Sequence, residues 1–106
     1  MKVSKEIDEI KKKTERIFKA YDVGEAYIFG SYARGDFTED SDIDIIIVSK
    51  KIKSLLTIGA ILEELKEALE KDVDLIEEEC FEGEMDEDEQ KFYDTIKKER
   101  VKIYGR

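Results

Sequence analysis

The chain has 106 residues, which suits one domain spanning residues 1–106, and its 41% of hydrophobic residues can supply a core. A formal net charge of −9 argues against direct nucleic-acid binding, while 44% charged residues without histidine or proline are typical of proteins from hot environments. The lone Cys80 excludes an internal disulfide, and without a leader-like or membrane-length apolar segment we expect a cytoplasmic protein with no membrane partner.

The first predicted element is an amphipathic helix over residues 4–21. Its inward side chains recur at spacings of three and four, and charged side chains fill the other faces. Ser4 is expected to cap the start of this helix and Gly24 to stop it. The predicted inward stripe consists of Ile7, Ile10, Thr14, Ile17, Phe18 and Tyr21.

Two strands follow, separated by a polar turn. Residues 25–29 are aromatic and β-branched, which favours a strand, and residues 31–34 then predict one helical turn ended by Gly35. After a polar loop, residues 43–48 form the second predicted strand. Because this strand is apolar on both faces beyond Asp44, we expect it in the centre of a sheet.

A helical crossover is predicted next. Lys50, Lys51 and Lys53 form a basic loop, which is more typical of a solvated segment than of a site. Residues 54–70 predict a second long helix, the kind of connection that joins two parallel strands. The inward stripe expected for this helix consists of Leu55, Ile58, Leu62, Leu65 and Leu69.

The last part of the chain completes an α/β (α+β) domain. Phe92 and Ile96 are expected to face inward from the last helix. The fold class predicted is a small mixed sheet of three to four strands with helices packed mainly on one face. The elements predicted here are a strand at 73–76, an acidic loop or edge at 77–89, a helix at 87–98 and a closing strand at 101–104.

Two aspartates, Asp42 and Asp44, stand at the entrance to the second strand. Residues two apart in a strand point the same way, so both carboxylates aim at one spot. Bare carboxylates so close repel each other and are costly to desolvate unless a cation lies between them. The alternative is a pair of solvated aspartates at a strand start. The pairing beside four consecutive β-branched residues favours a divalent metal site.

Asp74 supplies a third carboxylate, in an otherwise apolar strand. If the crossover is right-handed and the strands are adjacent, Asp74 lies beside Asp42 and Asp44. Three such carboxylates suit two Mg²⁺ ions. With no histidine in the chain, the general base must be a carboxylate, and Asp74 is the candidate, as base or only as metal ligand. The alternative for Asp74 is a solvated residue on an edge strand.

The turn at Gly30 and Ser31 is a candidate phosphate site. A glycine lets a ligand approach the backbone closely, and N–H groups at the start of a helical turn can bind an anion. The Ser31 hydroxyl could donate one more hydrogen bond. The alternative is a tight strand-to-helix turn capped by Ser31.

These residues carry a resemblance to a known family. Gly30-Ser31, ten further residues and then Asp42-x-Asp44 resemble the signature of the DNA polymerase β-like nucleotidyltransferase superfamily. Within it, Gly-Ser-Tyr-Ala-Arg-Gly followed by Ser-Asp-Ile-Asp is similar to the minimal nucleotidyltransferase (MNT) proteins. The resemblance covers nearly the whole chain and includes the later Asp74 and the close at 99–105.

The resemblance implies a polymerase β-like nucleotidyltransferase fold and an enzyme that transfers AMP from ATP to an acceptor hydroxyl, with two Mg²⁺ ions. Arg34, one helical turn after Ser31, either reaches a phosphate or is a solvated cation at the helix end. Carried over from the family, Gly30 and Ser31 would hold the β- and γ-phosphates. Asp42 and Asp44 would bind both metals. Asp74 would bind the catalytic metal and orient or deprotonate the nucleophile.

The resemblance also implies a partner. Many MNT proteins resemble antitoxins paired with a HEPN-domain ribonuclease toxin, and some adenylylate (AMPylate) a tyrosine of that toxin. An acidic chain suits docking to a basic partner. Two alternatives stay open. One is a non-catalytic antitoxin that neutralises its toxin by binding. The other is a transferase acting on a small molecule or a tRNA end, which the short length and negative charge disfavour.

Overall fold

The structure is a computed structural model that describes residues 5–49, 51 and 54–105. Helices and strands alternate along most of the chain, and a short 3₁₀ helix at Glu78–Phe81 precedes the last helix. The elements are α1 (Lys5–Ala20), β1 (Glu25–Phe29), α2 (Ser31–Arg34), β2 (Ile43–Val48), α3 (Leu55–Leu69), β3 (Val73–Glu77), α4 (Glu87–Glu99) and β4 (Val101–Tyr104).

Helix α1 forms as its periodicity predicts, but it stops differently. Asp22, at φ 59°, takes the left-handed conformation that turns the chain after the helix. Gly24 was expected to stop the helix, and this is wrong: its N–H donates to the Val48 carbonyl at 3.0 Å, beside β2. The predicted cap Ser4 lies outside the described residues. The buried residues of α1 are Ile7, Ile10, Thr14, Ile17 and Phe18.

The four strands form one mixed sheet in the order β3-β2-β1-β4. Strand β1 pairs antiparallel with both β2 and β4, whereas β2 pairs parallel with β3 after the crossover through α3. Strand β2 therefore has a neighbour on each side, as its apolar sequence predicts. The register places Asp44 opposite Phe29 on one side and opposite Asp74 on the other.

The two faces of the sheet are covered unequally. The larger core lies on the face of α1 and α3, where Ile28, Ile45 and Ile47 are fully buried. The second face carries a smaller cluster in which Ile96 of α4 packs with Phe29 and Ile46. The predicted small mixed sheet with helices mainly on one face is confirmed, with α4 as the helix on the other face.

The inward stripe of α3 is only partly as predicted. Ser54 caps the helix, its side chain accepting the Leu56 N–H at 3.2 Å. The prediction that Leu55 faces inward is wrong, since it is 85% exposed in the first turn. Ile58 and Leu62, also predicted to face inward, are partly buried against the core. The buried residues of α3 are Ile61, Leu65 and Leu69.

The remaining loops differ in how well the sequence describes them. Of the basic loop, Lys50 and Lys53 lie outside the described residues, while Lys51 pairs with Asp22 at 2.9 Å on the surface. The acidic stretch 77–89 holds the end of β3, the 3₁₀ helix and the start of α4. Helix α4 begins in a capping box made by Asp86 and Glu89.

Candidate active site

Gly30 forms the sharp turn between β1 and α2. Its φ of 74° lies where side chains are disfavoured, and a Cβ atom there would lie 2.1 Å from Oδ2 of Asp44. The carboxylate of Asp44 therefore rests directly on the glycine backbone. Only glycine allows this approach, so the turn and the start of β2 are fitted to each other.

Helix α2 is a single turn anchored in the core. Its Tyr32 is buried and stacks on Phe37, with ring centroids 4.2 Å apart. Gly35, at φ 88°, ends the turn and donates its N–H to the Ser31 carbonyl. Anchoring by Tyr32 leaves Ser31 and Arg34 at the surface of the turn, toward the end of the sheet.

The three predicted carboxylates come to the same face of the sheet. Asp42 precedes β2 by one residue, and Asp44 lies two residues further on, so the two share one direction. Asp74 is the direct register partner of Asp44 on the parallel strand β3. Asp44 is half-buried, whereas Asp42 and Asp74 are exposed. The predicted proximity of the carboxylates is confirmed, although Asp74 is also exposed on an edge strand.

The clustering raises the pKa of Asp44 to about 6. Burial is the largest cause, because it penalises the charged form. A hydrogen bond with Asp74 and repulsion from Asp74 and Asp42 add to it, and the guanidinium of Arg34 opposes them. The neutral form of Asp44 is therefore favoured to a higher pH than that of an ordinary aspartate.

This donor set fits a divalent cation in its chemistry. Carboxylate oxygens are the ligands that Mg²⁺ prefers, and a cation would relieve the repulsion that raises the pKa of Asp44. Across residues 5–49, 51 and 54–105, however, no three acidic, cysteine or histidine side chains are already arranged as a metal site. An ion would therefore have to draw the carboxylates, starting with Asp44 and Asp74, closer together.

A cleft of about 770 Å³ joins the Gly30 turn to the carboxylates. Both Ser31 and Arg34 line it, so the cleft brings together all six residues predicted as site residues. Its further lining includes apolar side chains of the sheet, among them Phe29 and Ile76. The lining of the cleft thus combines acidic and apolar side chains. The predicted site residues that line it are Gly30, Ser31, Arg34, Asp42, Asp44 and Asp74.

Helix α4 forms a wall of this cleft that the sequence did not reveal. Phe92, Thr95 and Glu99 lie on one stripe of the helix and all line the cleft. The expectation that Phe92 faces inward is wrong, because it is 47% exposed. Its ring still packs edge-on against Phe29 and Phe81, at centroid distances of 6.2 and 6.0 Å. The spacing of three and four along α4 was the one signal that could have grouped these residues.

Glu99 contacts the residues predicted to bind phosphate. Its Oε1 accepts the Gly30 N–H at 2.9 Å, and both of its oxygens lie 3.3 Å from Nη1 of Arg34. Arg34 also pairs with Asp36 at 3.3 Å. Hydrogen bonds to Asp36 and Glu99 raise the pKa of Arg34. In the described structure, then, a carboxylate already sits on the anion-binding groups of the turn.

The junction that holds Glu99 is itself fixed. The next residue, Arg100, pairs with Glu78 at 2.6 Å and lies 4.0 Å above the ring of Tyr27. Burial and a hydrogen bond to Glu25 raise the pKa of Tyr27 to about 12, so this tyrosine stays neutral. These contacts of Arg100 attach the end of α4 to β1 and to the 3₁₀ helix, and they hold Glu99 in the wall of the cleft.

Comparison with known proteins gives a consistent match. The family model described as "Nucleotidyltransferase domain" matches residues 7–103. A provisionally named protein adenylyltransferase of Methanocaldococcus jannaschii is 46% identical over 70 residues, which cover 66% of this chain and 75% of that protein. The protein adenylyltransferase MntA of Thermococcus cleftensis is 43% identical over 56 residues, covering 53% of this chain and 57% of that protein.

Solved structures share the fold at lower identity. A toxin–antitoxin crystal structure with AMP-PNP aligns at a TM-score of 0.71 and 20% identity, covering 91% of this chain and 73% of that chain. A tri-AMPylated Shewanella oneidensis HEPN toxin in complex with MNT antitoxin aligns at a TM-score of 0.67 and 18% identity, with coverage of 94% and 73%. At these identities the likeness establishes the fold alone.

The helices of residues 5–49, 51 and 54–105 include none with the length and apolar character of a membrane span.

Proposed function

This chain belongs to the nucleotidyltransferase domain family, and from that premise we propose that it transfers AMP from ATP to a hydroxyl group of a partner protein. One observation carries the proposal. The register pair Asp44 and Asp74 opens into the same cleft as the glycine turn at Gly30. Carboxylates beside a backbone turn are what a metal-bound triphosphate requires.

The nucleotide would lie along the cleft. Gly30 and Ser31 would contact the β- and γ-phosphates, and Arg34 would offer its guanidinium to one of them. The apolar side chains that line the cleft, among them Phe92 and Ile76, would contact the nucleoside. The cleft thus offers polar groups for the triphosphate and apolar side chains for the nucleoside.

The carboxylates would hold Mg²⁺. Asp42 and Asp44 would bind both ions and Asp74 one of them. Bound there, the ions would neutralise charge on the phosphates. The half-buried position of Asp44 and its raised pKa of about 6 support this assignment, because a carboxylate crowded by other carboxylates gains most from a cation.

The transfer then needs little more than positioning and a proton acceptor. The acceptor oxygen attacks the α-phosphorus of ATP, and the bond from this phosphorus to the oxygen that bridges to the β-phosphate breaks. Pyrophosphate leaves with that electron pair. The hydroxyl proton passes to Asp74, which is exposed and can release it to water. As the chain has no histidine, a carboxylate is the natural base.

The acceptor we propose is a tyrosine of a HEPN-domain toxin. The fold neighbours include an MNT antitoxin bound to a tri-AMPylated HEPN toxin, and the sequence relatives include a protein adenylyltransferase MntA. The net charge of −9 supports docking to a basic partner. On this proposal the chain is the antitoxin of the pair.

The test is intact-mass analysis of a candidate HEPN-domain partner, after incubation with the chain, ATP and Mg²⁺. We expect a gain of one or more AMP units, lost with Asp44→Asn. Glu63→Gln is the matched control, because it also removes one negative charge but lies exposed on α3, away from the cleft. A stable complex without any gain would identify a binding antitoxin without transferase activity. If the experiment shows neither a mass gain nor a complex, the proposed partner is overturned.

A further inference from the structure

Glu99 sits where a phosphate oxygen is expected to bind. Its carboxylate accepts the Gly30 N–H at 2.9 Å and lies 3.3 Å from the Arg34 guanidinium through both oxygens. Carboxylate and phosphate oxygens use the same donors. The two groups that the proposed function assigns to the nucleotide are therefore already engaged by a side chain of the chain itself.

The position of Glu99 is not explained by its own helix. It is the last residue of α4, where the helix dipole disfavours a negative charge. Its side chain is nevertheless only 19% exposed, while Arg34 opposite is 48% exposed. The compensating interactions come from the Gly30 turn and Arg34, so this contact between distant parts of the chain holds the carboxylate in place.

Glu99 also adds a fourth carboxylate to the cleft, after Asp42, Asp44 and Asp74. Among the described residues that line the cleft, Arg34 is the one cation, and it is already shared between Glu99 and Asp36. A polyphosphate that arrives without metal meets this surplus of negative charge and finds its donors occupied. A polyphosphate that arrives with Mg²⁺ carries less negative charge and brings a cation that the aspartates can bind.

We propose that Glu99 is a specificity-determining residue of the phosphate site, which occupies Gly30 N–H and Arg34 until a metal-bound polyphosphate displaces it. Its function is to exclude nucleotide and phosphate that come without metal. The inference rests on the proposed function, because it assumes that the Gly30 turn receives the phosphates. It goes beyond that function by naming what the site rejects and which residue rejects it.

The test measures nucleotide binding by calorimetry, with no acceptor protein and no turnover. ATP is titrated into wild type, Glu99→Gln and the control Glu63→Gln, once with Mg²⁺ and once with EDTA. Glutamine keeps an oxygen that can accept the Gly30 N–H and removes only the charge. We expect Glu99→Gln to bind ATP in EDTA about tenfold more tightly than wild type, the size of one charge-assisted hydrogen bond. In Mg²⁺ we expect a smaller gain.

Each other outcome is decisive. Unchanged or weaker binding by Glu99→Gln in EDTA would overturn the proposal, and weaker binding under both conditions would identify Glu99 as a structural support of the turn. Binding by Glu99→Gln where wild type shows none would support it, whereas no binding by either protein would overturn it. Tighter binding by Glu63→Gln as well would assign the effect to net charge and also overturn it. AMP transfer to the HEPN protein is a separate measurement, so the proposed function can fail while this binding difference stands.

Discussion

The carboxyl groups of Asp44 and Asp74 meet as direct register partners on two parallel strands. Strand pairing fixes their approach, because the crossover through α3 sets β3 beside β2 with these two positions opposite each other. The partial burial of Asp44, and after it the hydrogen bond with Asp74, raise the pKa of Asp44 to about 6. The properties of the cleft follow in large part from this pair.

The raised pKa of Asp44 predicts a pH-dependent stability of the metal-free protein. A carboxyl whose folded pKa lies above its unfolded value contributes stability that is present at low pH and lost as the pH rises. For Asp44 this stability is lost between about pH 3.8, the ordinary pKa of the group, and about pH 6, its pKa in the folded protein. We therefore expect Asp44→Asn to be more stable than wild type above pH 6, and the difference to vanish toward pH 4.

Urea unfolding of both proteins between pH 4 and 7.5, in EDTA, measures this difference. Glu63→Gln provides the control, since it lies on an exposed position of α3 and should not reproduce the pH-dependent gain. A constant difference between Asp44→Asn and wild type across the whole range would contradict the raised pKa.

Removal of the carboxylate of either Asp42 or Asp44 should abolish the response to Mg²⁺. We expect Mg²⁺ to raise the melting temperature of wild type and to leave Asp42→Ala and Asp44→Ala unchanged. AMP transfer by these variants should fall by at least about 100-fold. Both should keep the far-ultraviolet circular dichroism of wild type, because neither residue belongs to the buried core. Full activity in either variant would contradict a two-metal site.

Gly30→Ala should lower the free energy of unfolding by more than the strain of its positive φ alone would cost. The added Cβ would lie 2.1 Å from Oδ2 of Asp44, and the φ of 74° adds strain. The control is Gly83→Ala, where φ is 88° but nothing lies within 4 Å of the added atom. We expect Gly83→Ala to cost about 1 kcal/mol of unfolding free energy and Gly30→Ala about 1–3 kcal/mol more.

Chemical unfolding of the two glycine variants checks this difference. Nucleotide binding should be lost only in Gly30→Ala, because the displaced Asp44 side chain belongs to the cleft. Equal costs for the two variants would mean that Asp44 moves away freely, and the close fit between turn and strand would then have no energetic weight.

Arg34→Gln distinguishes the two interpretations of this cation. If the guanidinium contacts a phosphate, the KM for ATP should rise by roughly tenfold with little change in kcat. If Arg34 only pairs with Asp36 and Glu99 at the surface, both constants should stay within about twofold. Steady-state kinetics with a fixed concentration of acceptor protein measure both.

The parts of the site that the sequence predicts are those whose geometry is local. Asp42 and Asp44 share a face because strand residues alternate, and α2 begins after Gly30 and ends at Gly35 because glycines permit those turns. Placing Asp74 beside Asp44 required one further step, the handedness of a crossover between adjacent parallel strands.

The wall formed by α4 depends on packing that no local rule determines. Phe92 was predicted to face inward from its helical spacing, but Ile96 is the buried residue of α4, and Phe92 packs against Phe29 while it stays exposed at the cleft. Glu99 contacts Gly30 from 69 positions away, and a lone glutamate at a helix end has no signature of this contact in sequence. The same limit applies to Leu55, which has the helical spacing of a core residue and is nevertheless exposed in the first turn of α3.

The position of β3 at the edge of the sheet has a consequence for hydrogen exchange. Strand β2 has neighbours on both sides, whereas among the described strands β3 pairs with β2 alone, so Asp44 and Asp74 lie on strands of different local stability. Backbone amides around Asp74 should exchange with solvent faster than those around Asp44. A cation held by both carboxylates would link the strands, so release of the ion and fraying of β3 would become one event.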